Sequence, residues 1–148
     1  MRAFMFGFVT LLALAAGTNS GAVPSASPVG RWMTEEGWSH VEIYQCGQHL
    51  CGRIVWLKEP REKDGSIKVD GKNPDPKKRA QTIAGLTIMW NFAPTSDPGE
   101  WDGGRIYNPL DGDVYRAKLR MRPDGKLEMR GYVVLPLFGG SQYWERVR

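Results

Sequence analysis

Histidine and cysteine are nearly absent from this chain, with two of each among 148 residues. A catalytic set built on imidazole, or a metal centre built on imidazole and thiolate, therefore has little to draw on. His40 follows Ser39 at a predicted strand start and His49 falls in a predicted turn, and neither has the carboxylate or cysteine neighbours that would complete a ligand set. No metal and no cofactor is expected. Charge of one sign is also missing: 20 Lys and Arg are interspersed with 16 Asp and Glu, and a net of +4 is too weak and too mixed to mark a nucleic-acid partner. Apolar positions at helical spacing are not sustained over any ten residues, which excludes a helical bundle. Long apolar runs are limited to Phe4–Ala16, which falls short of the roughly 20 residues that span a bilayer.

That run lies behind Arg2 and ahead of small residues, the pattern of a secretory signal. Residues 1–22 are predicted to be the signal, with candidate cuts after Ala13-Leu14-Ala15 and after Ser20-Gly21-Ala22. Residues 23–29 (VPSASPV) read as a small, proline-containing tether, and 30–148 as one domain. A chain of this length supports one core, which rules out an enzyme with a separate cofactor domain. Export places the protein in the periplasm or outside the cell, where cysteines pair. Cys46 and Cys51 flank Gly-Gln-His-Leu between two strand-like runs, so a hairpin disulfide is predicted. With Gln48-His49 as the turn, Cys46 faces Cys51 directly.

From Gly30 onward, β-branched and aromatic runs alternate with Gly, Pro, Asn and Asp clusters, which predicts an all-β chain. Eight strands are placed near Gly30–Thr34, Ser39–Cys46, Leu50–Leu57, Thr82–Trp90, Gly104–Tyr107, Asp113–Met121, Lys126–Leu135 and Ser141–Val147. In the sixth, Tyr115, Ala117, Leu119 and Met121 are predicted to face the core. In the seventh, Leu127, Met129, Gly131 and Val133 do so. Asn91–Gly104, with two prolines and three glycines, reads as an irregular loop. The odd feature is Lys58–Gln81, 24 residues with eight basic and five acidic side chains. Asp75 before Pro76 predicts a cap and one or two helical turns there. Asp64, Asp70 and Asp75 do not match the spacing of a calcium loop and read as turn and capping residues.

The run from Gly30 to Arg146 resembles the bacterial family known as domain of unknown function 2147. The resemblance is carried by Gly30-Arg31-Trp32, Val41–Cys46 with Leu50–Ile54, Asp70 with Asn73-Pro74-Asp75 and Arg79, Trp101–Pro109, Asp111-Gly112, Tyr115, Arg130-Gly131-Tyr132, Phe138-Gly139, Trp144 and Arg146. It implies a small exported β-barrel and no particular activity. A second resemblance is architectural. Gly-x-Trp opening the first strand and an arginine in the last are similar to the closed end of lipocalin-like barrels, here Gly30, Trp32 and Arg146. A guanidinium over an indole face adds attraction while its donors reach loop carbonyls. The expected fold is a single antiparallel eight-stranded lipocalin-like barrel, with the long charged loop near its open mouth.

Three functions follow from that barrel. The leading one is binding of a small apolar or amphipathic ligand in the interior. Trp56 and Trp90 are the expected wall residues, and the basic loop Lys72–Arg79 would attract an anionic head group. The alternative is an envelope protein with a solid core that contacts a partner through its loops. A hydrolase comes third, because no nucleophile is accompanied by its base. The pair Glu100 and Asp102 has spacing compatible with glycoside chemistry, and Asp102, Asn108 and Asp111 beside glycines fit turn-forming roles. No enzymatic activity is expected.

Overall fold

The computed structural model describes residues 26–132 and 140–148. The predicted signal 1–22, the first part of the tether, residues 133–135 of the seventh predicted strand and the family residues Phe138-Gly139 lie outside the described residues. Among the described residues eight antiparallel strands close into a barrel in chain order: β1 (Gly30–Met33), β2 (Ser39–Cys46), β3 (His49–Leu57), β4 (Thr87–Pro94), β5 (Glu100–Asn108), β6 (Asp113–Met121), β7 (Leu127–Tyr132) and β8 (Ser141–Arg146). A short 3₁₀ turn, Pro76–Lys78, lies in the long loop, and Asp75 caps it by accepting from the Lys77 N–H.

Alternation sets the two faces of the wall. In β6, Ala117 and Leu119 are buried while Arg116 and Arg120 are exposed. Leu127 and Met129 repeat the pattern in β7. The interior positions are filled. Trp32, Val41, Met89, Phe92, Leu119 and Leu127 have no exposed surface, and Trp144 has 1%. Small residues make room for large ones across neighbouring strands. A Cβ on Gly104 would enter the Phe92 ring, and one on Gly52 would meet the Met89 sulfur at 2.7 Å. An eight-stranded barrel has an interior that side chains can just fill, and these residues take up that space.

One end of the barrel is closed by the interaction expected from the Gly-x-Trp pattern. The Arg146 guanidinium lies 4.2 Å from the centre of the Trp32 ring. Its Nη1 donates to the Val29 carbonyl at 3.0 Å and its Nη2 to that of Ser27 at 2.6 Å. The Trp32 Nε1 donates to the Pro28 carbonyl at 2.7 Å. Residues 26–29, expected as a free tether, are thus docked across the barrel end, because the indole and the guanidinium between them need three acceptors there. Trp32 and Arg146 are also register partners in the β1–β8 pairing that closes the sheet.

Three sequence expectations shift. The turn between β2 and β3 is Gly47-Gln48, not Gln48-His49, because Gly47 takes the positive φ of 65°. Cys46 therefore pairs with His49 and Cys51 with Tyr44, and the disulfide runs diagonally across the hairpin tip with Cα atoms 5.8 Å apart. The fourth strand starts at Thr87 rather than Thr82, since Thr82 bridges Val69 within the long loop and Ile83–Leu86 make a hydrogen-bonded turn. Asn91–Gly104 is largely strand. Asn91 (φ 63°) and Gly103 (φ 72°) absorb local irregularities, so pairing continues from Trp90↔Arg105 to Pro94↔Trp101. The long loop meets the connections at the end opposite the seal, with the Lys58 N–H on the Trp38 carbonyl and the Lys72 carbonyl against Gly112, and from there it reaches the outer wall at Tyr107.

Arg146→Ala is expected to lower stability by about 1–2 kcal/mol through lost packing on Trp32 and two orphaned carbonyls. Gly104→Ala is expected to cost about 1–3 kcal/mol by overpacking against Phe92. Gly71→Ala, where a Cβ meets nothing within 4 Å, serves as the control. Urea midpoints of the three variants check the order.

Candidate functional site

The site begins with a buried acid. Asp70 sits in the long loop, among residues that are mostly exposed, yet has no exposed surface itself. Its carboxylate accepts from the Tyr107 hydroxyl at 2.6 Å and from the Asn73 Nδ2 at 2.7 Å. A buried carboxylate needs such donors, because the interior offers no water to replace them. Its backbone N–H donates to the Gln81 carbonyl at 2.8 Å, and the Ile83 N–H donates to Lys68 at 3.1 Å, so the two arms of the loop are laddered around it. Asn73 extends the network. Its Oδ1 accepts from the Asp75 N–H, and its carbonyl accepts from Arg79 Nε at 2.8 Å. Gly112, in the turn after β5, has no room for a Cβ because the Lys72 carbonyl lies against it.

Register decides which face of the wall the loop covers. Gly104 and Ala117 are inward partners, so the next pairs outward along β5 and β6 are Arg105↔Arg116 and Tyr107↔Val114. Met89↔Ile106 is inward, so Trp90↔Arg105 is outward. Tyr107, the latch of the loop, therefore stands on the outer face. Between the loop and this face runs an open groove of about 770 Å³. Pro74, Leu86, Trp90 and Val114 give it apolar surface, and Lys78 and Gln81 give it polar groups. A second depression, of about 370 Å³, lies on the outer wall near Arg122 and Tyr143 and is lined by charged and polar groups.

The tryptophans separate accordingly. Trp90 is half-buried in the groove, on the outer wall rather than in the interior. Trp56 does not join it. It is 43% exposed and stacks on His40 with ring centres 4.4 Å apart, because a bulge between His40 and Val41 turns it out of the core. Trp38 is half-exposed, donates to Glu36 at 2.7 Å and has Lys58 over its ring. Of the basic loop Lys72–Arg79, Lys78 lines the groove, whereas the Arg79 Nε is committed to the Asn73 carbonyl.

The other carboxylates have local work. Glu100 pairs with Arg120 at 2.7 Å and Lys118 at 3.9 Å, while Asp102 accepts from the Gly103 N–H. Asp64, Asn108 and Asp111 each hold a backbone N–H two residues on, the turn role expected of them. Asp70 was expected to do the same and instead reaches 37 residues along the chain. No local pattern distinguishes it from the other loop aspartates. Among the described residues, no three His, Cys, Asp or Glu side chains converge to hold a metal ion.

Burial first, and then the hydrogen bond to Asp70, push the Tyr107 phenol up to about 12. Since this folded-state value is raised above the ordinary value near 10, the phenol's contribution to loop docking is complete below about pH 10. It is lost as pH rises through about 12. Tyr115 is pushed up to about 12 as well, by its hydrogen bond to Asp111. Alkaline titration followed by phenolate absorbance should therefore show both tyrosines ionising late. Asp70→Asn is expected to bring Tyr107 part of the way back, since its burial remains; a Tyr107 that ionises in that variant as late as in wild type would contradict the latch.

No curated protein matches the chain. Among solved structures it is similar to protein HP1028 from Helicobacter pylori, described as belonging to the lipocalin family. The identity is 25%, the TM-score 0.67, and the match covers 81% of this chain and 82% of that one. Residues 30–146 match the family described as an uncharacterised protein conserved in bacteria, DUF2147. This span takes in the closing pair Trp32 and Arg146, the disulfide hairpin and the Asp70 latch, and the chain belongs to the DUF2147 family, on a lipocalin-like barrel.

Proposed function

We propose that this is an exported binding protein, not an enzyme, and that it takes a small amphipathic ligand in the groove between the long loop and the outer wall. The observation that carries the reading is the groove itself. Trp90, Leu86, Pro74 and Val114 form an apolar surface beside Lys78, on a loop fixed by a buried carboxylate. Small-molecule sites are concave, mostly apolar and supplied with a few placed polar groups. The likeness to a lipocalin supports small-ligand binding as a class. The filled interior supports a site outside the barrel rather than within it. Export is supported by the apolar run Phe4–Ala16 and by the disulfide Cys46–Cys51. Among the described residues no helix is long and apolar enough to cross a membrane.

A second reading, docking of an envelope partner through the loops, is favoured by exposed apolar side chains at Leu110 (81%), Ile67 (51%) and Trp38 (50%). Titration with fatty acids, isoprenoids and an environment-sensitive apolar dye separates the two. Saturable binding at micromolar ligand is expected, with Trp90→Ala weakening it at least tenfold and Trp56→Ala leaving it unchanged. Absence of saturable binding, or a Trp90→Ala variant that binds like wild type, would move the function to the partner reading.

A further inference from the structure

We infer that the ligand of this groove is a single-chain amphiphile with an anionic head, a carboxylate or a phosphate, and that Arg105 and Arg116 hold that head. The inference rests on the groove reading above and adds the chemistry of what binds. In the register of β5 and β6, Arg105 stands directly opposite Arg116 on the outer face. Like charges at that spacing, with Cβ atoms about 4.5–5.5 Å apart, repel and destabilise a sheet. Elsewhere on the wall such repulsion is relieved. Lys118 is opposite Arg130, but Glu100 stands 3.9 Å from Lys118; Arg53 pairs with Glu42, Arg122 with Glu128, and Lys126 with Glu145. Among the described residues no carboxylate forms an ion pair with Arg105 or Arg116. Arg105 Nη1 donates to the carbonyls of Gly103 and Gly104 at 3.4 and 3.1 Å, which places the guanidinium without neutralising it.

The position of this pair gives it a ligand. Trp90, on the groove surface, is the register partner of Arg105, and Val114, also in the groove, precedes Arg116 by two residues on the same face. Trp90 and Val114 thus lie beside the strand positions of Arg105 and Arg116, which border the groove. Their planar donor forks match the oxygens of a carboxylate or a phosphate. An apolar chain lying on Trp90, with its head between the two arginines, would relieve the repulsion that the fold leaves in place.

The test uses the exported protein and three probes of equal chain length, dodecanoate, dodecyl phosphate and dodecanol, each below its micelle concentration. Wild type is expected to bind at least one anion tenfold or more tighter than the alcohol, and the tighter anion identifies the head chemistry. That ratio should collapse towards one in the double variant Arg105→Gln/Arg116→Gln. Equal affinity for all three probes in wild type would overturn the head-group assignment and leave the groove standing. Failure of all three to saturate would overturn both. A ligand-free measurement is independent of this. Arg116→Gln should raise the melting temperature at low salt, and the gain should shrink as salt is added. An unchanged melting temperature at low salt would show that the pair is already neutralised, contrary to the inference.

Discussion

The Asp70 carboxylate, buried without an exposed atom and held by Tyr107 and Asn73, is the constraint on which the rest of the candidate site depends. Without it, Lys58–Gln81 is a charged connection with little apolar surface to fold around, and such segments do not order themselves. The carboxylate fixes the loop at a point in the middle. The ladder from Asp70 to Gln81 and from Ile83 to Lys68 then closes around that point. Removing one partner would leave a buried acceptor lacking a donor, at a cost of about 1–3 kcal/mol. The loop is therefore part of the wall of the groove.

The closed barrel supplies the other bank. Its interior is packed to the point where Gly52 and Gly104 are the only size that Met89 and Phe92 tolerate beside them. Its end is sealed by Trp32, Arg146 and the segment 26–29. A rigid cylinder of this kind offers its outer face as a platform, and that face is charged along β5 to β8. Glu100, Arg116, Arg120, Glu128 and Glu145 all point outward. A transmembrane barrel has the opposite polarity, with an apolar band outside. Binding on the outside of the wall also fits a short chain, whose strands of four to nine residues leave little height for an interior calyx.

Much of the barrel was legible in the sequence because strand alternation is a local signal. Ala117, Leu119, Leu127 and Met129 announce their face by period-two spacing, and the structure buries them. The seal of Trp32 with Arg146 was legible through its pattern, and the disulfide through the spacing of Cys46 and Cys51 within a hairpin. The register at that hairpin was not, since Gly47 and His49 both offer a turn and only the backbone decides between them. Asn91–Gly104 read as loop because prolines and glycines usually end pairing, whereas here they form irregularities within it. The site was the least legible part. Asp70 carries the family resemblance with Asp75, yet in local turn chemistry it looks like Asp64 and Asp75, and only the contact with Tyr107 shows its role. Likewise Arg105 and Arg116 become neighbours only through the β5–β6 register. Trp90 was expected on the interior wall and stands on the outer one, because inward and outward positions in β4 exchange at Asn91.

The proposed ligand site lies on the outside of the barrel, between the latched loop and β4 to β6. Amide hydrogen exchange with and without a saturating anionic amphiphile tests it most directly. Added protection is expected in residues 70–87 and in the segments around Trp90, Arg105 and Val114, with β1, β2 and β8 unchanged. Protection that appeared instead in β1, β2 and β8, and spared the loop, would place the ligand elsewhere on the barrel and contradict the account.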